Sequence, residues 1–264
     1  PTVWAWREKR LTKIKHYVDG VLVLFPFEPD YYHRYGIPVK FVGHPIANQF
    51  PENPDAFAAR ESLGIHPLAS VTAILPGSRM SEIEHMADIY LQAANKLYEM
   101  HPQMVFLVPC VHEKTKQRIQ QAVEKFAPHI NIFLLDGQSR DALEACNQAL
   151  VTSGTATLEA ALMKRPLVLA IIVHPISYWI MKKLATTEWI GLPNILANQN
   201  LVKELIQEEA TVDKIALHMG KLIADKELRN RQVTAFQQQY LSLKQNASEL
   251  AADAIDDWVF TSQP

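Results

Sequence analysis

The chain of 264 residues has only two cysteines, and no Cys-x-x-Cys pair or Cys/His cluster at metal-ligand spacing. Cys110 and Cys146 sit in ordinary apolar or helical surroundings, which points to a reduced, cytoplasmic protein and against zinc. An excess of one charge is lacking as well. The 26 Lys and Arg against 28 Asp and Glu leave a formal charge of −2, so no basic bias draws the chain to nucleic acid. No apolar run is long enough to cross a bilayer. The most apolar window, 166–181, contains Pro166, His174 and Pro175 and falls short of the roughly 20 residues that a spanning helix needs. It reads as a buried strand followed by an amphipathic helix.

Several motifs are absent too. There is no GxGxxG, no GxxxxGK[ST] and no GxSxG, which removes the usual support for a dinucleotide oxidoreductase, a P-loop ATPase or an α/β-hydrolase. No Asp-x-Asp occurs, so no metal ion and no cofactor is expected. The first residues, Pro1 to Trp6, lack an initiator Met and the basic-then-apolar order of a signal peptide. They read as a strand, and the chain is expected to be a fragment or processed product.

What is present is alternation. Short Val/Ile/Leu runs at 21–25, 39–42, 71–75, 105–108, 130–134, 148–151 and 167–172 are separated by amphipathic or charged stretches at 81–100, 113–126, 140–145 and 155–163. Uninterrupted apolar strands between helices mean a parallel sheet covered on both faces, wound by right-handed crossovers. The pattern predicts an α/β, doubly wound, Rossmann-like domain. Ser81 and Glu84 suit a capping box for the 81–100 helix, and the chain from about Leu201 reads as helical. In such a fold ligands lie beyond the carboxyl ends of the strands.

Two of those loops carry chemistry. The first is Pro76-Gly77-Ser78-Arg79, where Gly77 permits close backbone approach, Ser78 offers a hydroxyl and Arg79 a forked cation for phosphate oxygens. A tight turn with a solvated arginine explains the same four residues. The second is Thr152-Ser153-Gly154-Thr155-Ala156-Thr157-Leu158-Glu159. There a strand meets a helix N-terminus whose free N–H groups, beside Ser153 and Thr155, suit an anion. Glu159, one turn in, suits the two hydroxyls of a ribose; a simple N-cap with a solvated glutamate is the plainer alternative. Together the loops suggest a ligand with a diphosphate and a sugar.

These stretches, in this order, resemble the lipid-A-disaccharide synthases, inverting glycosyltransferases of the GT-B fold. The resemblance also takes in Val3-Trp4-Ala5-Trp6-Arg7, Pro26-Phe27-Glu28, Val42-Gly43-His44-Pro45, Glu82, Leu135-Asp136-Gly137, Leu192-Pro193-Asn194-Ile195-Leu196-Ala197, Glu204-Leu205-Ile206-Gln207, Asn246-Ala247 and Ala251-Ala252. It implies joining of UDP-2,3-diacylglucosamine to 2,3-diacylglucosamine 1-phosphate, with release of UDP. By the same resemblance Arg79 is the catalytic cation. Gly77, Ser78, Ser153, Gly154, Thr155, Ala156, Thr157, Glu159 and Asn194 bind substrate, with Glu204 and Gln207 as further candidates.

The expected organisation is a remnant of the acceptor domain at 1–48, a UDP-sugar-binding domain at 49–230 and a helical segment at 231–264. A lipid acceptor, the cytoplasmic face of the inner membrane and a homodimer through 240–259 are the implied partners. The chain departs from the family at Ile171-Ile172, where relatives place an aromatic and a basic residue, and at Lys203, where many have proline. The catalytic aspartate of the family would lie before Trp4. Rival readings are another GT-B enzyme, such as a UDP-N-acetylglucosamine 2-epimerase-like protein, and a non-catalytic UDP-sugar-binding or assembly module.

Three features stay open between a functional and a structural role. His44 either touches substrate or caps a turn, and His174 either supplies a cation or lies on the surface. The basic stretch Arg7–His16 with Trp4 and Trp6, and Tyr178, Trp179, Lys182 and Lys183, either face anionic lipid or are ordinary surface and packing residues.

Overall fold

A computed structural model describes residues 3–6, 8–152, 154–175, 178–179 and 187–260 of the chain. These fall into two units. One comprises the described parts of Pro1–Pro51, Pro175–Glu188 and Gln238–Pro264, the other Glu52–His174 and Trp189–Gln237.

In the first unit two short strands, β1 (Val21–Val23) and β2 (Val39–Phe41), pair in parallel with Val21 opposite Val39. Val3, Leu11, Val23, Tyr32 and Ile37 form its apolar cluster. The opening residues differ from expectation, because Val3–Trp6 is a helical turn rather than a strand. Packing decides this. Trp4 is only 5% exposed and meets Phe25 and Phe27 edge-on at 6.3 and 5.0 Å, while those two rings stack at 5.7 Å. Such aromatic pairs stabilise beyond their buried area. Glu28 closes the turn by accepting the N–H groups of Leu24 and Phe25 at 3.0 and 2.9 Å. Its burial raises the carboxyl pKa against the pull of these bonds. Trp4 and the Pro-Phe-Glu motif thus build a core, and Trp4 is buried in it rather than free for lipid.

The end of the chain belongs to this unit. A Cβ on Gly20 would run into the ring of Trp258. One on Gly43, whose φ is +81°, would lie 2.7 Å from the Leu243 carbonyl, which accepts the His44 N–H at 2.9 Å. The Tyr240 hydroxyl donates to the Phe50 carbonyl at 3.1 Å.

The second unit carries the sheet. β3 (Ser70–Leu75), β4 (Met104–Cys110), β5 (Asn131–Asp136), β6 (Gln148–Val151), β7 (Leu167–Ile171) and β8 (Lys203–Ile206) lie in the order β5-β4-β3-β6-β7-β8. Every pairing is parallel, and β3, β6 and β7 are almost wholly buried. This is the doubly wound α/β sheet that the apolar runs predict. β8 falls where the composition reads as helical. Its four residues, Lys-Glu-Leu-Ile, bury fully only Leu205, and an edge strand of that length has no strong periodic signal. The strand at 167–171 is as expected, whereas most of the amphipathic helix expected to follow it lies outside the described residues.

The helix after β3, Met80–Met100, begins one residue earlier than Ser81. Arg79 has the extended backbone of an N-cap, so the carboxylate that reaches back is Glu82 rather than Glu84. Glu84 instead pairs with Arg118 at 3.1 Å. Ile83, Met86, Ala87, Tyr90, Leu91, Ala94 and Leu97 form the buried stripe of this helix. Tyr90 is its one polar anchor. The hydroxyl donates to the Ala170 carbonyl of β7 at 2.7 Å and accepts from the Thr152 hydroxyl, just past β6, at 2.9 Å. Full burial pushes its pKa well above the usual phenol value, so it stays a donor. Tyr90→Phe strands two buried polar groups, and an unfolding free energy lower by about 1–3 kcal/mol is expected. A denaturant midpoint equal to that of the wild type would show that this hydroxyl anchors nothing.

Candidate functional site

The strand order places the reversal of winding between β3 and β6. From β3 the chain proceeds outward through β4 and β5, then returns to the other side with β6, β7 and β8. Loops leaving two such neighbours diverge and open a crevice at the carboxyl ends of the strands. A cleft of about 340 Å³ lies there, within the size range of small-molecule sites. Gly77 and Ser78 line it from the loop after β3, and Thr155, Ala156 and Glu159 from the helix after β6. The two loops singled out in the sequence therefore meet. Pro109 near the end of β4, Val111 just after it, and Gly137 and Ser139 after β5 extend the wall. Gly137 stands in a stretch that resembles the family, but only their position at the carboxyl end of a strand marks the other three.

In the first loop Gly77 has φ +121°, and a Cβ there would lie 2.5 Å from that of Glu82. The position accepts only glycine. Glu82 takes the N–H groups of Ser78 and Arg79 on Oε2, at 2.9 and 3.2 Å. Two backbone donors of this loop are thus already paired. The Arg79 guanidinium meets the other oxygen of Glu82 at 3.1 Å, with its own side chain 79% exposed. Arg79 stands beside the cleft without lining it. An ion pair so exposed is worth about 0–1 kcal/mol and is easily exchanged.

In the second loop Ser153 lies outside the described residues. The helix Gly154–Leu162 begins at the cleft, with Thr155 exposed and Ala156 lining the wall. Its first N–H groups carry the positive end of the helix dipole. Gly154 has nothing closer than 3.6 Å to a built Cβ, so space does not demand a glycine there. Thr157 turns inward, where it is buried and its hydroxyl donates to the Gly154 carbonyl at 2.6 Å. Glu159 is half-buried on the cleft wall. Burial raises its pKa, and the Arg140 charge offsets part of the rise.

Asn194 is elsewhere, 0% exposed and fully engaged with its own chain. Its Nδ2 donates to the Val202 carbonyl and to Glu204, both at 2.8 Å, and its Oδ1 accepts the N–H groups of Leu201 and Val202 at 2.9 and 2.7 Å. Glu204 also accepts the N–H groups of Ile190 and Gly191, each at 2.9 Å. Burial raises the Glu204 pKa while these three donors lower it. Asn194 and Glu204 thus clasp the 190–194 turn to β8. In this arrangement neither side chain has a polar edge for a substrate. Gln207 likewise pairs with both backbone groups of Val173, at 2.8 and 3.1 Å. Ile171 is buried and Ile172 packs against the sheet core, and neither is among the residues that line the cleft.

His44 caps a turn. Its Nδ1 accepts the Ile46 N–H at 3.3 Å, its ring lies 5.4 Å from that of Phe25, and burial lowers its pKa. His174 and Trp179 are exposed, while Arg7, Lys182 and Lys183 lie outside the described residues. Burial pushes the Cys110 thiol up to about 11, which keeps it protonated and unreactive near neutrality. Among the described residues no group of three His, Cys, Asp or Glu is placed to hold a metal ion.

The chain matches the lipid-A-disaccharide synthetase family over residues 1–257. It is 60% identical to a lipid-A-disaccharide synthase of Hydrogenovibrio crunogenus over 258 residues, 98% of this chain and 69% of that protein. It is 42% identical to one of Pseudomonas putida over 255 residues, 97% of this chain and 66% of that protein. The chain thus spans about two thirds of the length of these relatives. Two solved structures are similar at 12% identity. S. aureus MnaA with UDP has a TM-score of 0.64, over 95% of this chain and 64% of its own. WaaG, a glycosyltransferase involved in lipopolysaccharide biosynthesis, has a TM-score of 0.53 over 90% and 62%. At that identity they show the fold alone, which is that of the GT-B glycosyltransferases.

Two outcomes follow from the site's geometry. Asn194→Ala removes four bonds from a buried clasp and should lower stability by at least about 2 kcal/mol; a fully stable variant would contradict the clasp. For Glu159 the folded-state pKa lies above the unfolded value, so the stability linked to it is complete below about pH 4.3 and is lost as pH rises through the folded pKa. Glu159→Gln is therefore expected to melt a few degrees higher than the wild type at pH 7.5, with no gain at pH 4. A melting temperature that falls at pH 7.5 would mean that the charge is stabilising.

Proposed function

Because this chain belongs to the lipid-A-disaccharide synthetase family, we propose that it supplies the nucleotide-sugar site of a lipid A glycosyltransferase. The reaction joins UDP-2,3-diacylglucosamine to 2,3-diacylglucosamine 1-phosphate and releases UDP. We assign residues 49–230 to the donor domain, 1–48 to the end of the acceptor domain and 231–264 to a helical segment.

The observation that carries this reading is the convergence of the two loops on one cleft at the switch point. A diphosphate seated there meets the Ser78 hydroxyl on one side. On the other it meets Thr155 and the N-terminus of the 154–162 helix, with Ser153 in the same loop. Gly77 and Ala156 keep the walls low enough for that approach. Glu159, one turn along, accepts from the ribose hydroxyls. Its raised pKa fits a carboxylate held in a half-dry wall until hydroxyl donors stabilise its charge.

Arg79 turns from Glu82 onto the diphosphate and takes up the charge that develops as UDP leaves. In this reading the acceptor hydroxyl attacks the anomeric carbon in a single inverting displacement. Its base is a carboxylate in the third of the relatives' length that this chain does not span. Thr157 and Asn194 contribute by holding the helix start and the 190–194 turn, and Gly154 by opening that helix.

The lipid substrates favour a peripheral position on the cytoplasmic face of the inner membrane. Among the described residues no helix is long and apolar enough to cross it. A homodimer through 240–259 is supported by the exposed Leu241, Ile255 and Val259.

Calorimetric titration of this chain with UDP tests the donor site. Saturable binding is expected, weakened at least about tenfold in Arg79→Ala, as for a lost hydrogen bond to a charged group. A folded chain that takes up no UDP, or an Arg79→Ala variant that binds as tightly, would refute the assignment.

A further inference from the structure

On the reading that the cleft seats a nucleoside diphosphate, we propose that Glu82 is a positioning residue that parks the Arg79 guanidinium. It releases that group to an incoming diphosphate and takes it back as the nucleotide leaves.

The two oxygens of this carboxylate have different tasks. Oε2 faces inward, holds the N–H groups of Ser78 and Arg79, and lies 2.6 Å from where a Gly77 Cβ would be. Among the described residues, Oε1 meets the Arg79 guanidinium, at 3.1 Å. The Glu82 side chain is 14% exposed and that of Arg79 79%. The carboxylate is therefore sheltered, while the guanidinium stands in water. A helix cap alone requires only the N–H of the N-cap residue. Here the carboxylate also takes the N–H before it and the side chain of the N-cap itself.

The nearby acid Glu84 is bound to Arg118 and leaves Arg79 to Glu82. A diphosphate beside Ser78 competes with Glu82 for the guanidinium and not for the two N–H groups. Restraint by an exposed pair of this kind is worth up to about fivefold in affinity. Exchange is thus easy in both directions, and release of product is not blocked by a permanently seated arginine.

UDP titration of the wild type, Glu82→Gln, Arg79→Ala and the double variant reads this directly. Glutamine keeps an acceptor for the loop N–H groups and removes the pair. At low ionic strength Glu82→Gln is expected to bind UDP about twofold to fivefold more tightly, with the gain fading as salt screens the charges. In the Arg79→Ala background the gain should be clearly smaller.

An unchanged or weaker affinity in a stably folded Glu82→Gln chain would overturn the proposal. So would an equal gain with and without Arg79, which is plain charge repulsion. Should that variant fail to fold, hydrogen exchange on the wild type decides. The Ser78 and Arg79 amide protons should stay equally protected with and without UDP, and their loss of protection on binding would overturn the exchange. No UDP binding by the wild type would overturn the donor site itself, and the exchange with it.

Discussion

The hydroxyl of Tyr90 ties together the parts on which the cleft depends. It sits in the helix that follows the first loop, donates to β7 and receives the proton of Thr152, the residue that opens the second loop. Both loops are thereby referred to one buried oxygen. In a low-dielectric interior such a chain of hydrogen bonds is strong when complete and costly when broken. A ligand that bridges two loops needs their separation held within a fraction of an ångström. Strand pairing between β3 and β6 sets that separation coarsely, with Leu75 opposite Val151, and the tyrosine refines it from above the sheet.

Carboxylates divide into two kinds. Glu28, Glu82 and Glu204 each accept two backbone N–H groups, and each thereby holds a turn. Glu159 lines the cleft instead. The same residue type in comparable motifs thus serves the fold three times and the candidate site once. Among the acids of the second unit's motifs, Glu159 is the one whose removal should leave the scaffold intact while altering what the cleft accepts.

Much of this architecture was legible in the chain. Parallel strands buried on both faces have to be continuous apolar runs, so β3, β4, β6 and β7 announce themselves. Once the sheet is known, the loops that matter are those at its carboxyl edge. Features that depend on partners distant in sequence were not legible. Val3–Trp6 reads as a strand because nothing local shows the Phe25 and Phe27 rings that wrap Trp4. β8 is too short to show a period. Asn194 and Thr157 belong to the right motifs, yet nothing in those motifs tells a side chain facing a ligand from one consumed by Val202 or Gly154. Pro109 and Val111 carry no polar signature, and only the strand order brings them to the cleft.

The close fit of Gly20 against Trp258 and of Gly43 against Leu243 has a consequence for how the molecule is made. The unit of residues 3–51 is completed by residues 190 or more positions later, such as Tyr240 on Phe50. Each such contact closes a loop that contains the whole sheet unit, and a closure of that length costs more conformational entropy than a local contact. The sheet unit, Glu52–His174 with Trp189–Gln237, has its own core and can close first. Until that unit has closed, residues 8–51 lack the partners that complete their own unit.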